Sequence, residues 1–216
     1  NVDLTIEQGS FTAITGPSGS GKSTLLHLLS GLDTPSKGRV IYQGKNLYDY
    51  KDNQLSVLRR RRFGFVFQSY NLVRELTGWE NILLPLRMSG RMHLAASARE
   101  LAAQLGVESE LNKLPAALSV GQRQRVSVVR ALAPRPAVLL ADEPTGALDP
   151  LTAQDVSRHL VKYARQQGAT VVVVTHDVEL FGPVADVRMG FELSRESATV
   201  HSVLVPYTEP ERRAEA

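Results

Sequence analysis

The sequence contains no cysteine, which excludes disulfide bonds and thiolate metal sites and permits a reducing compartment. Its longest apolar runs, such as the four valines at 171–174, are far shorter than the roughly 20 residues of a membrane-spanning helix. No charged segment followed by an apolar one opens the sequence, so we expect no secretory signal. Any membrane role would therefore depend on a partner protein.

The composition is ordinary for a globular domain, with 43% hydrophobic and 22% charged residues among 216. This length suffices for one large domain or for a core with a small subdomain. The formal net charge is +3. A mildly positive chain is compatible with acidic partners such as nucleotides, but the charge does not by itself indicate nucleic-acid binding.

The order of predicted elements indicates an α/β fold interrupted by helices. Residues 2–15 predict two short strands around a turn at Gly9 and Ser10, the first with alternating polarity. From about 77 to 118 the sequence has helical patterns of leucine and alanine, and strand patterns return after this range. Further strand candidates are 38–44, 61–68, 137–143 and 169–177, and 186–195 with 199–205 could form a terminal hairpin.

We therefore predict one domain over residues 1–205, built on a mainly parallel sheet with a small antiparallel β element. The core is expected at about 1–76 and 134–205, and an inserted α-helical subdomain at about 77–133. Residues 206–216 are polar and are expected to form a flexible tail.

A glycine-rich segment between a predicted strand and a helix has the pattern of a phosphate-binding loop. It reads GPSGSGKST and matches G-x-x-x-x-G-K-[ST], a far more specific signal than a plain glycine turn. Glycines let backbone N–H groups surround phosphate, a lysine contacts the β/γ-phosphates, and a serine hydroxyl can ligate Mg²⁺. The predicted nucleotide-binding residues are Gly16, Pro17, Ser18, Gly19, Ser20, Gly21, Lys22, Ser23 and Thr24.

Asp142 and Glu143 end an apolar strand, where side chains face the ligand crevice of a parallel sheet. Asp142 suits direct or water-mediated contact with Mg²⁺. Glu143 is predicted as the general base for an attacking water, since a second adjacent carboxylate has no structural merit there. The alternative, an ordinary acidic strand end, is less favoured beside a phosphate loop.

Two further polar residues follow predicted strands. His176 could be a satisfied core histidine, but its place at a strand end favours contact with the γ-phosphate. Gln68, which we also predict among the nucleotide-binding residues, is a neutral amide that can reach Mg²⁺ or its water. The predicted metal ligands are thus Ser23, Gln68 and Asp142.

The segment LSVGQRQRVSVVRAL predicts a helix whose start is capped by Ser119 and Gln122, an S-x-x-Q capping box. A capped helix start directs free N–H groups outward and forms an anion site. Arg123 and Arg125 oppose the helix dipole there, which a bound anion would make less anomalous. Val120 costs at most roughly 0.5 kcal/mol if its backbone is helical, and more if a positive φ is required.

Together these motifs resemble the ATP-binding-cassette (ABC) transporter ATPases over nearly the whole chain. They occur in the family's order: Walker A at 16–24, the Q-loop at Gln68, the signature at 118–122, Walker B at 138–143, the D-loop at 146–149 and the switch histidine at 176. Residues 59–90 and the run LADEPTGALD look like the subfamily of macrolide exporters, lipoprotein-releasing complexes and the cell-division ATPase.

The resemblance implies a P-loop ATPase with a RecA-like core, using ATP and Mg²⁺. It implies a head-to-tail homodimer in which Ser119, Val120, Gly121 and Gln122 contact ATP held by the other subunit, and Asp149 links the two sites. ATP binding would close the dimer and drive transmembrane permease subunits on separate chains, docked near Ser69–Met92. The chain would then be cytoplasmic and peripheral at the inner face of the membrane, with no nucleic-acid partner.

Two departures from the family pattern stand out. The family's adenine-stacking aromatic lies well upstream of Walker A, whereas this sequence begins 21 residues before Lys22, and Phe11 is too close to the loop. Either the chain is a fragment, or the adenine is held otherwise. The last predicted hairpin also lacks the usual glycine turn.

Other functions fit the sequence less well. Soluble cassette ATPases that act on DNA or ribosomes carry long insertions or two motif sets, and this chain has neither. A GTP-binding switch needs N-K-x-D, but residues 112–115 read NKLP. The run Arg59–Arg62 is best explained as a solvated helix end, with a membrane-proximal contact as the next alternative.

Overall fold

A six-stranded sheet forms the centre of the molecule in the computed structural model, which describes residues 2–196 and 199–207. The strands are β1 (Phe11–Thr15), β4 (Phe63–Val66), β5 (Val138–Asp142), β6 (Thr170–Val174), β7 (Val187–Glu196) and β8 (Thr199–Pro206). Their order is β4-β5-β6-β1-β7-β8, and each neighbouring pair is parallel except β7 and β8. Two short strands, β2 (Ile41–Tyr42) and β3 (Lys45–Asn46), form a separate antiparallel pair. The mainly parallel fold is thus confirmed.

Helices connect the parallel strands and cover both faces of the sheet. They are α1 (Lys22–Leu29), α2 (Asp52–Arg62), α3 (Gly78–Ser89), α4 (Ala95–Gln104), α5 (Val120–Leu132), α6 (Pro150–Gln167) and α7 (Val178–Phe181). Between β4 and β5 the chain forms α3, α4 and α5 and no strand, as the leucine- and alanine-rich pattern predicts. No helix in the described part of the chain is long and apolar enough to cross a membrane.

Alternating residues of the central strands face two different hydrophobic clusters. Along β6, Val171 and Val173 pack with residues of α3, α4, α5 and α6, whereas Val172 and Val174 pack with Leu25 and Leu26 of α1. Burial on both faces explains why these strands are continuously apolar rather than alternating. Burial of each such valine contributes about 1.5–3 kcal/mol of transfer free energy. This burial holds in place the strands whose ends bear the candidate site residues.

Strand register brings three loops to one edge of the sheet. Val174 is paired with Ile14 on one side and with Asp142 on the other. The chain segments that follow β1, β5 and β6 therefore begin side by side. This edge collects the phosphate loop, Glu143 and His176 although they are far apart in sequence.

The predicted strand within residues 2–7 is wrong, because this segment has no strand assignment. A strand needs a neighbour for its backbone hydrogen bonds, and no described residue pairs with the segment. Leu4 and Ile6 still pack beside the α1 cluster, which accounts for their alternation.

The predicted strand at 38–44 is reduced to the two residues of β2, and the terminal hairpin is confirmed in β7 and β8. Pro206 is the last residue of β8 rather than part of a tail. Residues 197–198, where the sequence predicts the hairpin turn, and residues 208–216, which make up most of the predicted tail, lie outside the described residues.

Candidate active site

The phosphate-type loop connects β1 to α1 and is held close to β7. At Gly16 a Cβ atom would lie 2.7 Å from the Phe191 Cβ atom, so only glycine fits. Gly21, with φ of 97°, precedes α1, and no side chain caps the helix start. The first N–H groups of α1 are therefore available to an anion, as the motif predicts.

Lys22 folds back over the start of this loop. Its ammonium group donates to the carbonyl oxygens of Gly16 at 2.8 Å and Pro17 at 2.9 Å. The positive charge thus lies beside the loop's N–H groups, where it can exchange carbonyl partners for phosphate oxygens. Ser20 is buried within the loop, and its hydroxyl has no hydrogen-bond partner among the described residues.

Ser23 and Asp142 form a pair between the first turn of α1 and the end of β5. Burial raises the pKa of the Asp142 carboxyl, although the Ser23 hydroxyl that donates to it acts in the opposite direction. The Asp142 Oδ1 atom is buried and has no partner among the described groups. A buried carboxylate oxygen without a partner is costly, and a bound cation would satisfy it.

Glu143 and His176 meet at the same edge, as their strand-end positions predict. The His176 Nδ1 lies 2.9 Å from the Glu143 Oε2, which also accepts from the Thr175 hydroxyl at 3.3 Å. The histidine side chain is 70% exposed, whereas that of Glu143 is only 11% exposed. His176 is therefore not a core histidine, and its ring can reach a ligand in the crevice.

Gln68 lies two residues beyond β4 and is exposed. Because Val66 is paired with Ala141, the chain leaves β4 beside the Asp142 edge. No contact among the described residues joins Gln68 to Ser23 or Asp142, so its place in the metal site stays a prediction. Its position at the strand end agrees with the sequence pattern.

Asp149 caps the start of α6, a structural role that sequence reasoning did not assign. Its carboxylate accepts from the Thr152 hydroxyl at 2.6 Å and from the Thr152 N–H at 3.1 Å. These bonds lower the pKa of the Asp149 carboxyl. Asp149 is exposed, so a contact with another molecule remains compatible with this cap.

The signature segment forms the predicted capping box at the start of α5. The Ser119 hydroxyl accepts from the Gln122 N–H at 3.2 Å, and the Gln122 side-chain oxygen accepts from the Ser119 N–H at 2.8 Å. Val120 is the first residue of the helix, is 45% exposed and has no positive φ. Glycine is therefore not required at this position.

The arginines near the start of α5 point into the helical segment. Arg123 donates to the Pro115 carbonyl at 3.4 Å, and its guanidinium lies 5.7 Å from the centre of the Tyr70 ring. Arg125 lies beside Gly106, where a Cβ atom would be 3.8 Å from its Nη1. Arg123 therefore has protein partners of its own, whereas the buried Nε of Arg125 has no hydrogen-bond partner among the described residues.

Sequence reasoning missed Arg130, which holds the segment after Gln68. Its guanidinium donates to the Tyr70 and Asn71 carbonyls, both at 2.6 Å, and burial lowers its pKa to about 10. Tyr70 and Asn71 have positive φ values of 62° and 46° and need such support. The available signal was a charged residue inside an apolar helical run.

Sequence comparison matches residues 1–146 to a family model described as ABC transporter. The chain is 42% identical to the lipoprotein-releasing system ATP-binding protein LolD of Geobacter metallireducens, covering 83% of this chain and 80% of that protein. Identity is also 42% to MJ1508, an uncharacterized ABC transporter ATP-binding protein of Methanocaldococcus jannaschii, covering 83% and 81%.

Structure comparison finds the ATP-binding cassette MJ0796, whose dimeric post-hydrolysis state is bound to ADP and Pi. That match has 39% identity and a TM-score of 0.81, and covers 88% of this chain and 84% of the other. A second dimeric structure of MJ0796 gives 40% identity and a TM-score of 0.82. The chain therefore belongs to the ABC transporter family, as an ATP-binding subunit with ATPase activity.

Proposed function

We propose that this chain powers membrane permease subunits by closing head to tail with a second copy around two ATP molecules and hydrolysing them. One observation carries this proposal. A phosphate loop, the Ser23–Asp142 pair and the Glu143–His176 pair lie at the same edge of the sheet. Within one chain, these groups can bind the triphosphate, hold a cation and activate the water that attacks the γ-phosphate.

Binding of the triphosphate rests on the loop between β1 and α1. Gly19 and Gly21 leave open space beside the backbone, Gly16 lets the loop pass close to Phe191, and the uncapped start of α1 supplies N–H donors. Lys22 would release its carbonyl partners and contact the β- and γ-phosphates. Pro17, Ser18 and Thr24 complete the exposed surface of the loop, and Ser20 lies buried beneath it.

A magnesium ion fits the oxygen groups that lie beside this loop. Asp142 presents a buried oxygen without a partner among the described residues, and the Ser23 hydroxyl is next to it. We propose both as ligands, directly or through water, with Gln68 as a third. When bound, Mg²⁺ would neutralise charge on the β- and γ-phosphates.

We assign Glu143 as the base that accepts a proton from the water that attacks the γ-phosphorus atom. A new bond forms from the water oxygen to phosphorus, the bond to the bridging oxygen breaks, and ADP and phosphate are released. The Thr175 hydroxyl and the His176 ring orient the Glu143 carboxylate. His176, being exposed, would also contact the γ-phosphate.

The signature region supports action on a second copy of the chain. Among the described residues, Ser119 and Gln122 hydrogen-bond through their side chains only to each other, and Ser119 and Val120 are exposed. In a head-to-tail dimer this helix start would face the ATP of the partner. The solved relative MJ0796 is dimeric, which supports a dimer here, and the head-to-tail arrangement is our proposal. Asp149 would lie between the two sites.

The segment Ser69–Met92 is our proposed docking surface for a permease. Asn81 is fully buried, and its amide donates to the carbonyls of Val73, Leu76 and Thr77. These hydrogen bonds hold the backbone of the segment in place. Its exposed apolar side chains are Val73, Met88 and Met92, which are 38%, 53% and 41% exposed. Docking there would place the chain at the cytoplasmic face of a membrane.

We further propose that residues 77–133 act as the helical subdomain, and 1–76 with 134–205 as the core. Arg130 and Asn81 connect this subdomain to the segment after Gln68. Movement of the subdomain would thereby reach the docking surface. The LolD relatives are named for a lipoprotein-releasing system, and an exporter-type or lipoprotein-type partner is the corresponding expectation for this chain.

The decisive experiment is capture of partners from detergent-solubilised membranes with the intact chain as bait. Recovery of an integral membrane protein is expected, and Met88→Glu should abolish it while leaving the ATPase rate of the isolated chain unchanged. Gln104→Glu, which adds a charge at an exposed site on α4, is the matched control and should retain the membrane protein. Recovery of ribosomes or DNA without any membrane protein would contradict the proposal.

A further inference from the structure

A buried side chain on α5 joins the signature helix to the catalytic turn of the same chain. Gln124 is fully buried, and its Nε2 donates to the Pro144 carbonyl at 2.7 Å. Its Oε1 has no hydrogen-bond partner among the described residues. Methionine would fill a similar volume without a buried unsatisfied oxygen, so the hydrogen bond to Pro144 is what explains an amide at this position.

Glu143 needs support from its surroundings because its backbone is strained. Its φ of 46° lies in a region that residues other than glycine seldom occupy. On one side, the Glu143 N–H donates to the Val174 carbonyl at 2.9 Å. On the other side, Gln124 holds the carbonyl of Pro144. The backbone is therefore fixed on both sides of the carboxylate that we assign as the base.

A second contact joins the same two parts of the chain. A Cβ atom built on Gly121 would lie 3.4 Å from the Leu148 Cδ2, so the first turn of α5 rests on Leu148. Gly121 and Gln124 are three residues apart and share one face of the helix. This face contacts the segment 144–148, which directly follows Glu143.

We propose that Gln124 is a positioning residue that makes the setting of Glu143 depend on the signature of its own chain. The inference rests on the proposed function, in which that signature contacts the ATP of the partner. When the ATP bound by the partner attracts the start of α5, Gln124 moves with the helix and shifts the Pro144 carbonyl through their hydrogen bond. The adjacent Glu143 is then repositioned. Hydrolysis at one site then requires engagement of the other.

Mixed dimers test this inference, because they separate the chain that supplies Glu143 from the chain that does not. A limiting amount of chain with intact Glu143 is mixed, before ATP is added, with an excess of chain carrying Glu143→Gln. Nearly every hydrolysing dimer then has one working base. Gln124→Met is placed either on the limiting chain or on the excess chain, and the turnover rate is measured at saturating ATP.

We expect about a tenfold lower turnover with Gln124→Met on the limiting chain, the loss expected for one buried hydrogen bond that orients a catalytic group. The same substitution on the excess chain should leave turnover unchanged, and the ATP Kd of the isolated monomer should not move. Gln104→Met, at an exposed position on α4, is the matched control. A general loss of folding would lower the rate in both arrangements.

Equal losses in both arrangements, a loss confined to the excess chain, or no loss in either would overturn the inference. If Gln124→Met does not fold, Gln124→Leu replaces it in the same design, because it also removes the amide that donates to the Pro144 carbonyl. Failure of the proposed function would look different. In that case chains without any substitution would neither hydrolyse ATP nor associate with the Glu143→Gln chain.

Discussion

The carboxyl edge of the sheet and the start of α5 differ in where their polar groups find partners. At the sheet edge, Glu143 contacts Thr175 and His176 from a different strand end. At the start of α5, the described side-chain hydrogen bonds of Ser119 and Gln122 stay within one helical turn. The first region is assembled by the fold of one chain. The second is a helix end formed within one segment, and its exposed residues are accessible to another molecule.

Glu143→Gln should have the largest effect of the substitutions proposed, and it should impair the sheet edge while leaving the start of α5 intact. Removing a general base is expected to lower kcat about a thousandfold, whereas the loop and Lys22 keep ATP bound. The ATP-bound dimer should then accumulate, which size-exclusion chromatography with light scattering measures. Glu100→Gln on the exposed face of α4 serves as the control. Unchanged ATPase activity would remove Glu143 from the catalytic role.

Ser119→Ala should impair the start of α5 instead. It removes the cap of α5, worth about 1 kcal/mol, together with the proposed contact to the partner's ATP. We expect a loss of dimerisation and a decrease of about 10- to 100-fold in turnover, with unchanged ATP affinity of the monomer. Sedimentation with and without ATP checks this.

Thr77→Ala is the matched control, because Thr77 and Glu80 form a capping box on α3. It should cost similar stability and leave the ATP-driven dimer of the isolated chain intact. Equal loss of dimerisation in both variants would mean that Ser119 acts only as a helix cap.

Asp142→Asn should show that the sheet edge carries a charged side chain that lowers the folding stability of the chain. The folded-state pKa of Asp142 is raised by burial above its unfolded value of about 3.9. Ionisation therefore costs folding free energy, and the cost is absent below the unfolded pKa and complete above the folded one. Without nucleotide, the variant should melt about 2–4 °C higher at pH 7 if about 1 kcal/mol is regained.

Calorimetry over a pH series tests the sign of this effect. The difference in Tm between Asp142→Asn and the unmodified chain should shrink as the pH falls through the raised pKa of the native Asp142 carboxyl toward its unfolded pKa. Asp3→Asn, at an exposed site, should show no such trend. A variant that melts lower than the unmodified chain at pH 7 would contradict an unpaired, unfavourable Asp142.

Val120→Gly should have the smallest effect. Val120 already has a φ that any residue adopts, and it stands at the exposed first position of α5. Glycine there gains no backbone freedom that the site needs, so ATPase activity should stay within about twofold. A large rise in activity would mean that the valine side chain obstructs the partner's ATP, and the start of α5 would not be a preformed site.

Local patterns predicted much of the site because their physical causes are local. The loop at 16–24, the capping box of α5 and the strand ends at Asp142 and Glu143 depend on residues a few positions apart, and the structure has each in place. The strand expected within 2–7 was wrong, because alternating polarity records burial but does not supply a hydrogen-bonding neighbour.

The sequence by itself determined the motifs, their order and the mainly parallel α/β class, since each rests on short-range spacing and on strands buried on both faces. Only the tertiary structure decided which side chains meet. The contacts of Glu143 with His176, and of Gln124 with Pro144, join residues 33 and 20 positions apart. Such contacts depend on strand register and helix packing, which place side chains that no local pattern relates.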